Sequence, residues 1–370
     1  MKALLCFGTR PEAIKMSPLY HELTKNDDIE VKICITAQHR EMLDQVLGFF
    51  DIKPDYDLNL MQNNQSLNQL SSKILFAIDE VFVNFKPDIV LVHGDTTTSS
   101  IVALAAFHRG IKIGHVEAGL RTYNKFSPFP EEINRQITGR LADVHFAPTE
   151  TAAQNLLKEK VNPDTILITG NTVVDALLYG INKINDNYFC KGIEELKKII
   201  NPNKKLILIT GHRRENFGKG FEQLCHAIKI MSENQDVQII YPVHLNPNVQ
   251  EPVKRILSNI NNIHLMEPLD YPSFLYAMNK SYFILTDSGG VQEEAPSLGK
   301  PVLVMRNNTE RPEALEAGTV KLVGTDYVKI VEECNRLLNN KNDYQKMSNG
   351  KNPYGDGKAS LRISNYFKSK

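Results

Sequence analysis

The stretch "YFILTDSGGVQEEAPSLGKPVLVM", residues 282–305, reads as strand, turn, helix and strand in succession. Its apolar run (282–288) stops at Ser288-Gly289-Gly290, where two residues without a Cβ let the backbone turn sharply into a helix. The run "VLVM" (302–305) then resumes the apolar pattern. A strand that ends in a glycine turn and restarts beyond a helix is one step of a parallel sheet with right-handed crossovers.

The same rhythm extends in both directions. Apolar runs lie at 3–7, 31–36, 88–95, 112–119, 144–149 and 166–171, and again at 205–212, 237–244, 263–267, 282–288, 302–305 and 319–324. Several are apolar throughout, as strands covered on both faces are. Amphipathic stretches between them predict helices, among them 40–50, 220–233 and 327–340. The expected fold is α/β, with two Rossmann-like domains facing across a cleft. The first takes residues 1–170 and the second 171–352, with the seam near "TGNTVVDA". A C-terminal helix (353–370) packs back on the first domain. A length of 370 residues suffices for two such cores.

Charge narrows the partners. Lys plus Arg equals Asp plus Glu at 43 each, so no basic excess draws the chain to nucleic acid or a membrane surface. The five cysteines form no C-x-x-C pair, which fits a reducing cytoplasm. The N-terminal apolar run is too short for a signal peptide, and none approaches the ~18 residues of a membrane span. Cytoplasmic localisation is the expectation.

In open α/β sheets ligands bind beyond the carboxyl ends of the strands. "GTRPEA", "GDTTT", "EAGLRT", "GHRRE", "PVH" and "DSGG" each follow directly on an apolar run. Ser288, Gly289 and Gly290 offer N–H groups to a phosphate. Glu294, six residues past Ser288 and so about 9 Å along a helix, would accept hydrogen bonds from ribose hydroxyls. A nucleoside diphosphate fits that pairing. No G-x-G-x-x-G and no Walker motif follows any strand, so redox dinucleotides and P-loop chemistry lose their usual support.

Arg10 and Lys15 flank a Pro-Glu helix start; solvated cations at a cap are the plainer reading, cations on a diphosphate the functional one. Asp95 reads as an N-cap or a catalytic acid. Glu117 either pairs with Arg121 or faces the ligand, and Glu131 either pairs with Arg135 at i,i+4 or does so. His212 and Arg213 end a strand beside further charges, and Arg311 is another phosphate ligand. His93 with Asp95, and His115 with Glu117, share strand faces and permit a metal reading, although further ligands are lacking.

Taken in order, "FGTRPEAIKM", "QHREMLDQVL", "VLVHGDTTT", "GHVEAGLRT", "SPFPEEINRQ", "TGNTVVDALL", "TGHRREN", "YPVHLNPNV", "LTDSGGVQEEAPSLGKPVLVMR" and "NPYGDG" resemble the non-hydrolysing UDP-N-acetylglucosamine 2-epimerases of bacteria. The likeness runs from Met1 to about Arg362 and is loosest at about 180–204. It implies a GT-B-like fold, a homodimer, and interconversion of UDP-GlcNAc and UDP-ManNAc without NAD or metal. By resemblance, Asp95, Glu117, Glu131, Lys15 and His212 are catalytic. Arg10, Phe274, Ser288, Gly289, Gly290, Glu294 and Arg311 bind substrate. Gln38, Glu132, Arg213 and His244 are candidates for an activator subsite. A GT-B-type glycosyltransferase and a hydrolysing epimerase are the rival expectations.

Overall fold

The computed structural model describes residues 1–37, 40–60, 62, 65–309 and 311–368. It contains two compact units: residues 1–179 with 354–370, and residues 180–353. The boundary falls inside the helix Thr172–Asn185, past the seam read near 170, because the helical pattern continues unbroken through that point.

The first unit is built on seven parallel strands: β1 (Lys2–Phe7), β2 (Glu30–Ile35), β3 (Tyr56–Asp57), β4 (Ile89–His93), β5 (Lys112–Val116), β6 (Val144–Ala147) and β7 (Ile166–Ile168). Their order is β3-β2-β1-β4-β5-β6-β7. Six runs were expected; the extra strand, β3, is two residues long and pairs with the end of β2. From Ala3 to Phe7 every residue of β1 is buried, as a central strand flanked by β2 and β4 must be. Helix Leu67–Phe85 lays Leu70, Ile74, Ile78, Val81 and Phe85 against this sheet, a stripe at helical spacing.

The C-terminal helix Ala359–Lys368 belongs to this unit. Backbone N–H groups of Ala359 and Ser360 donate to Asp175 at 3.1 and 2.7 Å, and Tyr366 meets Phe146 edge-on with centroids 5.7 Å apart. Gly170 and Gly355 both have positive φ (87° and 144°). A Cβ on Gly170 would stand 3.4 Å from the Cα of Gly355. Only glycine allows this approach, which lets the Asn171 N–H reach the Tyr354 carbonyl at 2.7 Å.

The second unit carries β8 (Lys205–Thr210), β9 (Val237–Pro242), β10 (Ile263–Met266), β11 (Phe283–Thr286), β12 (Val302–Val304) and β13 (Val320–Leu322), all parallel in the order β10-β9-β8-β11-β12-β13. Its core gathers Ile207, Ile209, Phe221, Tyr241, Phe283 and Leu303. In each sheet the order reverses at one point, between β1 and β4 and between β8 and β11. Crevices form at such points, beyond the carboxyl ends of the strands.

Candidate functional site

At the reversal point of the first sheet, β1 ends in Gly8-Thr9 and β4 in Gly94-Asp95. The helix Arg10–Leu23 begins immediately, with Pro11 in its first turn and Thr9 as N-cap. Buried Glu12 reaches back to the N–H groups of Gly8 (3.0 Å) and Thr9 (2.9 Å), and its other oxygen accepts from Thr96 Oγ1 at 2.7 Å. One carboxylate thus ties the loop carrying Arg10 to the loop carrying Asp95. Burial pushes the Glu12 carboxyl up to about 7, although these donors pull the other way.

Glu117 stands just past β5 with φ of 62°, a left-handed conformation unusual for a residue with a side chain. The turn aims its carboxylate at Lys15, with which it forms an ion pair, and at Asn171 Nδ2, 2.8 Å away. His93 Nε2 lies 3.8 Å from the same carboxylate. Of the two readings of Glu117, the pairing with Arg121 does not form: Arg121 donates instead to Glu159 at 2.7 and 2.8 Å. Gly94, beside it, also has a positive φ of 60°, a conformation that glycine adopts without strain.

Asp95 is paired with Arg135. Burial pushes the Asp95 carboxyl up, Arg135 opposes, and neighbouring Glu117 adds to the rise. Arg135 therefore does not pair with Glu131, as the i,i+4 spacing suggested; it turns to Asp95 and to Glu132, 3.5 Å away. Asn134 Nδ2 donates to the Asp95 carbonyl at 3.0 Å. Glu131 is left to line a pocket of about 360 Å³ together with Asp95, Thr9, Thr96 and Asn134. Two of the three predicted acids thus share one cavity of the first unit.

Glu132, a candidate for the activator subsite, is wholly buried and already used. It accepts from the N–H groups of Thr122 and Tyr123 at 3.0 Å each and from Gln136 at 2.8 Å, fixing the turn before the helix Glu131–Leu141. Burial alone would raise its carboxyl, but these donors bring it below the usual range. Gln38 lies outside the described residues.

Of the two histidines behind the metal reading, His115 is engaged by the backbone, while His93 Nε2 is buried without a hydrogen-bond partner among the described residues. His115 Nε2 faces the Gly94 carbonyl at 2.7 Å, and burial pushes the two rings down to about 3 for His115 and about 4 for His93. Among the described residues no group of three or more His, Cys, Asp and Glu side chains is disposed to hold a metal ion.

The second unit repeats the arrangement at its own reversal point. β8 leads to Gly211-His212-Arg213 and β11 to Asp287-Ser288-Gly289. Asp287, fully buried, accepts from the N–H groups of His212 and Arg213 at 2.8 Å each. The rings of His212 and exposed His244 stack with centroids 5.2 Å apart. The helix opened by Ser288 is short, Gly289–Glu294. Of the three N–H groups read as phosphate donors, that of Ser288 is already taken by Thr286 Oγ1 at 2.9 Å.

Arg311 lies over this turn. Its Cζ is 3.3 Å from where a Cβ on Gly289 would stand, and its Nε donates to buried Glu293 at 2.9 Å. Glu294 Oε2 is 3.7 Å from the corresponding position on Gly290. Glycine at 289 thus leaves room for the guanidinium, while the Glu294 carboxylate lies at ordinary contact distance from position 290. Phe274 is half-buried on the helix Tyr271–Lys280. Asn171, Glu12, Asn134 and Asp287 were not singled out from the sequence; Asn171 and Asp287 stand at the ends of apolar runs, whereas Glu12 and Asn134 lie inside helices and carry no such signal.

The family model for UDP-N-acetylglucosamine 2-epimerase matches residues 21–368. The UDP-N-acetylglucosamine 2-epimerase of Campylobacter jejuni is 59% identical over 370 residues, covering 98% of this chain and 96% of the relative. That of Escherichia coli K12 is 58% identical over 371 residues, covering 100% and 99%. The crystal structure of UDP-GlcNAc 2-epimerase from Neisseria meningitidis bound to UDP-GlcNAc superposes with a TM-score of 0.91 at 52% identity, covering all of both chains. Among the described residues, no helix is long and apolar enough to cross a membrane.

Proposed function

Because the chain belongs to the UDP-N-acetylglucosamine 2-epimerase family, isomerases acting on carbohydrates, we propose that it interconverts UDP-GlcNAc and UDP-ManNAc by eliminating and re-adding UDP. The observation that carries this reading is the convergence of Asp95 and Glu131 on one pocket, with Glu117 held beside them by Lys15 and Asn171.

The C2 proton of the sugar is not α to a carbonyl, so it needs help from its neighbour. As the C1–O bond breaks, its electrons leave with the diphosphate and positive charge builds at C1. A carboxylate removes the C2 proton, and the C–H electrons form the C1=C2 bond of a 2-acetamidoglucal. Return of a proton to the opposite face, with UDP re-adding at C1, gives the epimer. The cycle is redox-neutral, so it asks nothing of a nicotinamide and has no step that requires a metal.

Each group has a place in this scheme. Asp95, raised by burial, suits a carboxyl that holds a proton; Glu117, with a cation and an amide donor on it, suits a carboxylate. Arg10, His212 and Arg311 supply the positive charge that a departing diphosphate needs, and the Gly289-Gly290 turn offers it backbone N–H groups. Glu294 takes the ribose hydroxyls and Phe274 the uracil. The enzyme acts as a homodimer and supplies ManNAc units for surface polysaccharide.

Incubating the protein with UDP-GlcNAc in heavy water, without cofactor, tests this by NMR. UDP-ManNAc carrying deuterium at C2 is expected. Retention of the original hydrogen would overturn the elimination, free ManNAc would indicate hydrolysis, and no turnover without an acceptor would favour a glycosyltransferase.

A further inference from the structure

Asp287 sits at the reversal point of the second sheet, and only one of its oxygens is accounted for. Oδ2 holds the His212–Arg213 turn by two backbone N–H groups. Oδ1 is buried with no hydrogen-bond partner among the described residues, and it lies 3.6 Å from His212 Nδ1. That gap is longer than a hydrogen bond, and a small rotation of the imidazole closes it. A buried carboxylate oxygen left without a donor is costly, so it is a standing demand for one.

Resting on the UDP-binding reading above, we propose that Asp287 is a positioning residue that makes His212 take up a proton when a diphosphate binds. With its Nδ1–H turned to Asp287, a neutral imidazole presents only a lone pair at Nε2, which repels a phosphate oxygen. Contact with phosphate therefore requires a second proton, at Nε2. The proton comes from solvent, and no bond other than this N–H is made.

The surroundings hold the ring neutral until then. His212 is pushed below the usual histidine range by burial first; Asp287 opposes this, while His244 stacked on the ring and Arg213 in the same turn reinforce it. A diphosphate adds negative charge on the Nε2 side and reverses that balance. The imidazolium then lies between a fixed carboxylate and the leaving group, where charge grows as the C1–O bond breaks.

The test is calorimetric titration of UDP into the full chain at about pH 7.5, in two buffers of different ionisation enthalpy. Buffer dependence reports proton uptake, and the unaltered chain is expected to show it. Asp287→Asn should bind UDP with no uptake: the amide Nδ2 would donate to Nδ1, so that the neutral ring offers Nε2–H to the phosphate. Its kcat should fall by about 10²-fold, with a much smaller change in KM. His212→Asn, a second route should Asp287→Asn fold poorly, should also abolish uptake. Uptake that persists in either variant, or its absence in the unaltered chain, overturns the proposal. Failure of the UDP-binding reading is distinct, since the unaltered chain would then show no binding heat in either buffer.

Discussion

Lys15 and Glu117, 102 residues apart in sequence, form an ion pair with side chains only 13% and 10% exposed. The helix start after β1 supplies the ammonium, and the left-handed turn after β5 supplies the carboxylate. Breaking a buried pair by removing one partner leaves an uncompensated charge. Lys15→Met should therefore destabilise toward the lower end of ~3–5 kcal/mol, because Asn171 stays on the carboxylate. Adding Glu117→Gln should restore most of the loss. Urea denaturation midpoints check both, and an unchanged midpoint for Lys15→Met contradicts the expectation.

Asp95→Asn, Glu117→Gln and Glu131→Gln should each lower kcat by at least ~10²-fold while still binding UDP, since the proposed UDP contacts in the second unit are untouched. Single-turnover assays alongside UDP titrations separate the two quantities. Near-normal turnover in all three would remove the acids from the mechanism.

Gly289 and Gly290 should respond unequally to alanine. A Cβ at 289 would stand 3.3 Å from Arg311 Cζ and force the guanidinium to give way, whereas at 290 the nearest atom, Glu294 Oε2, is at 3.7 Å, an ordinary contact. Gly289→Ala should weaken UDP binding by about tenfold, equivalent to ~1.4 kcal/mol, and Gly290→Ala much less. Equal losses would show that Arg311 does not hold the ligand.

Stability should carry a histidine signature below neutrality. His93 and His115, pushed by burial down to about 4 and about 3, stay neutral when folded but take protons when unfolded. Their contribution is complete above the unfolded value near 6.5 and is lost as pH falls toward 4, at ~1.4 kcal/mol per pH unit for each ring. Glu12, raised to about 7, has the opposite sign: it favours the folded state below its unfolded value near 4.5 and loses that contribution as pH rises through 7. Replacing His115 by Asn should therefore flatten the rise of stability between about pH 4.5 and 6.5, and Glu12→Gln should steepen it. Urea midpoints across that range measure the slopes.

The layers of the fold were legible because buried parallel strands are written as apolar runs, and five of the seven strands of the first sheet are four or more residues long. β3 was not, since two residues carry no periodicity. The helix Lys191–Ile199 was obscured for another reason: its apolar positions Ile193 and Leu196 are separated by charged residues along a short segment. At the site, residue types and their place after strands could be read, but their partners could not. The i,i+4 rule assigned Arg135 to Glu131, yet tertiary contact gave it to Asp95, which no local pattern encodes. Asp287 ends an apolar run as Asp95 does, but nothing local shows that it will be buried or which groups it will hold. Its burial beneath the His212–Arg213 turn arises only when β8 and β11 pair.

The hydrogen bond from Asn171 to Tyr354 pins together two chain segments that are separated in sequence by the whole second unit. Residues 180–353 are thus spliced into an otherwise continuous first unit. Excising them and bridging the cut with a few glycines and serines would spare the tethered crossing at Gly170 and Gly355. The remaining module would keep Asp95, Glu117 and Glu131 on their own scaffold, so that the stability of the acid-bearing half could be measured apart from the half that carries His212 and Arg311.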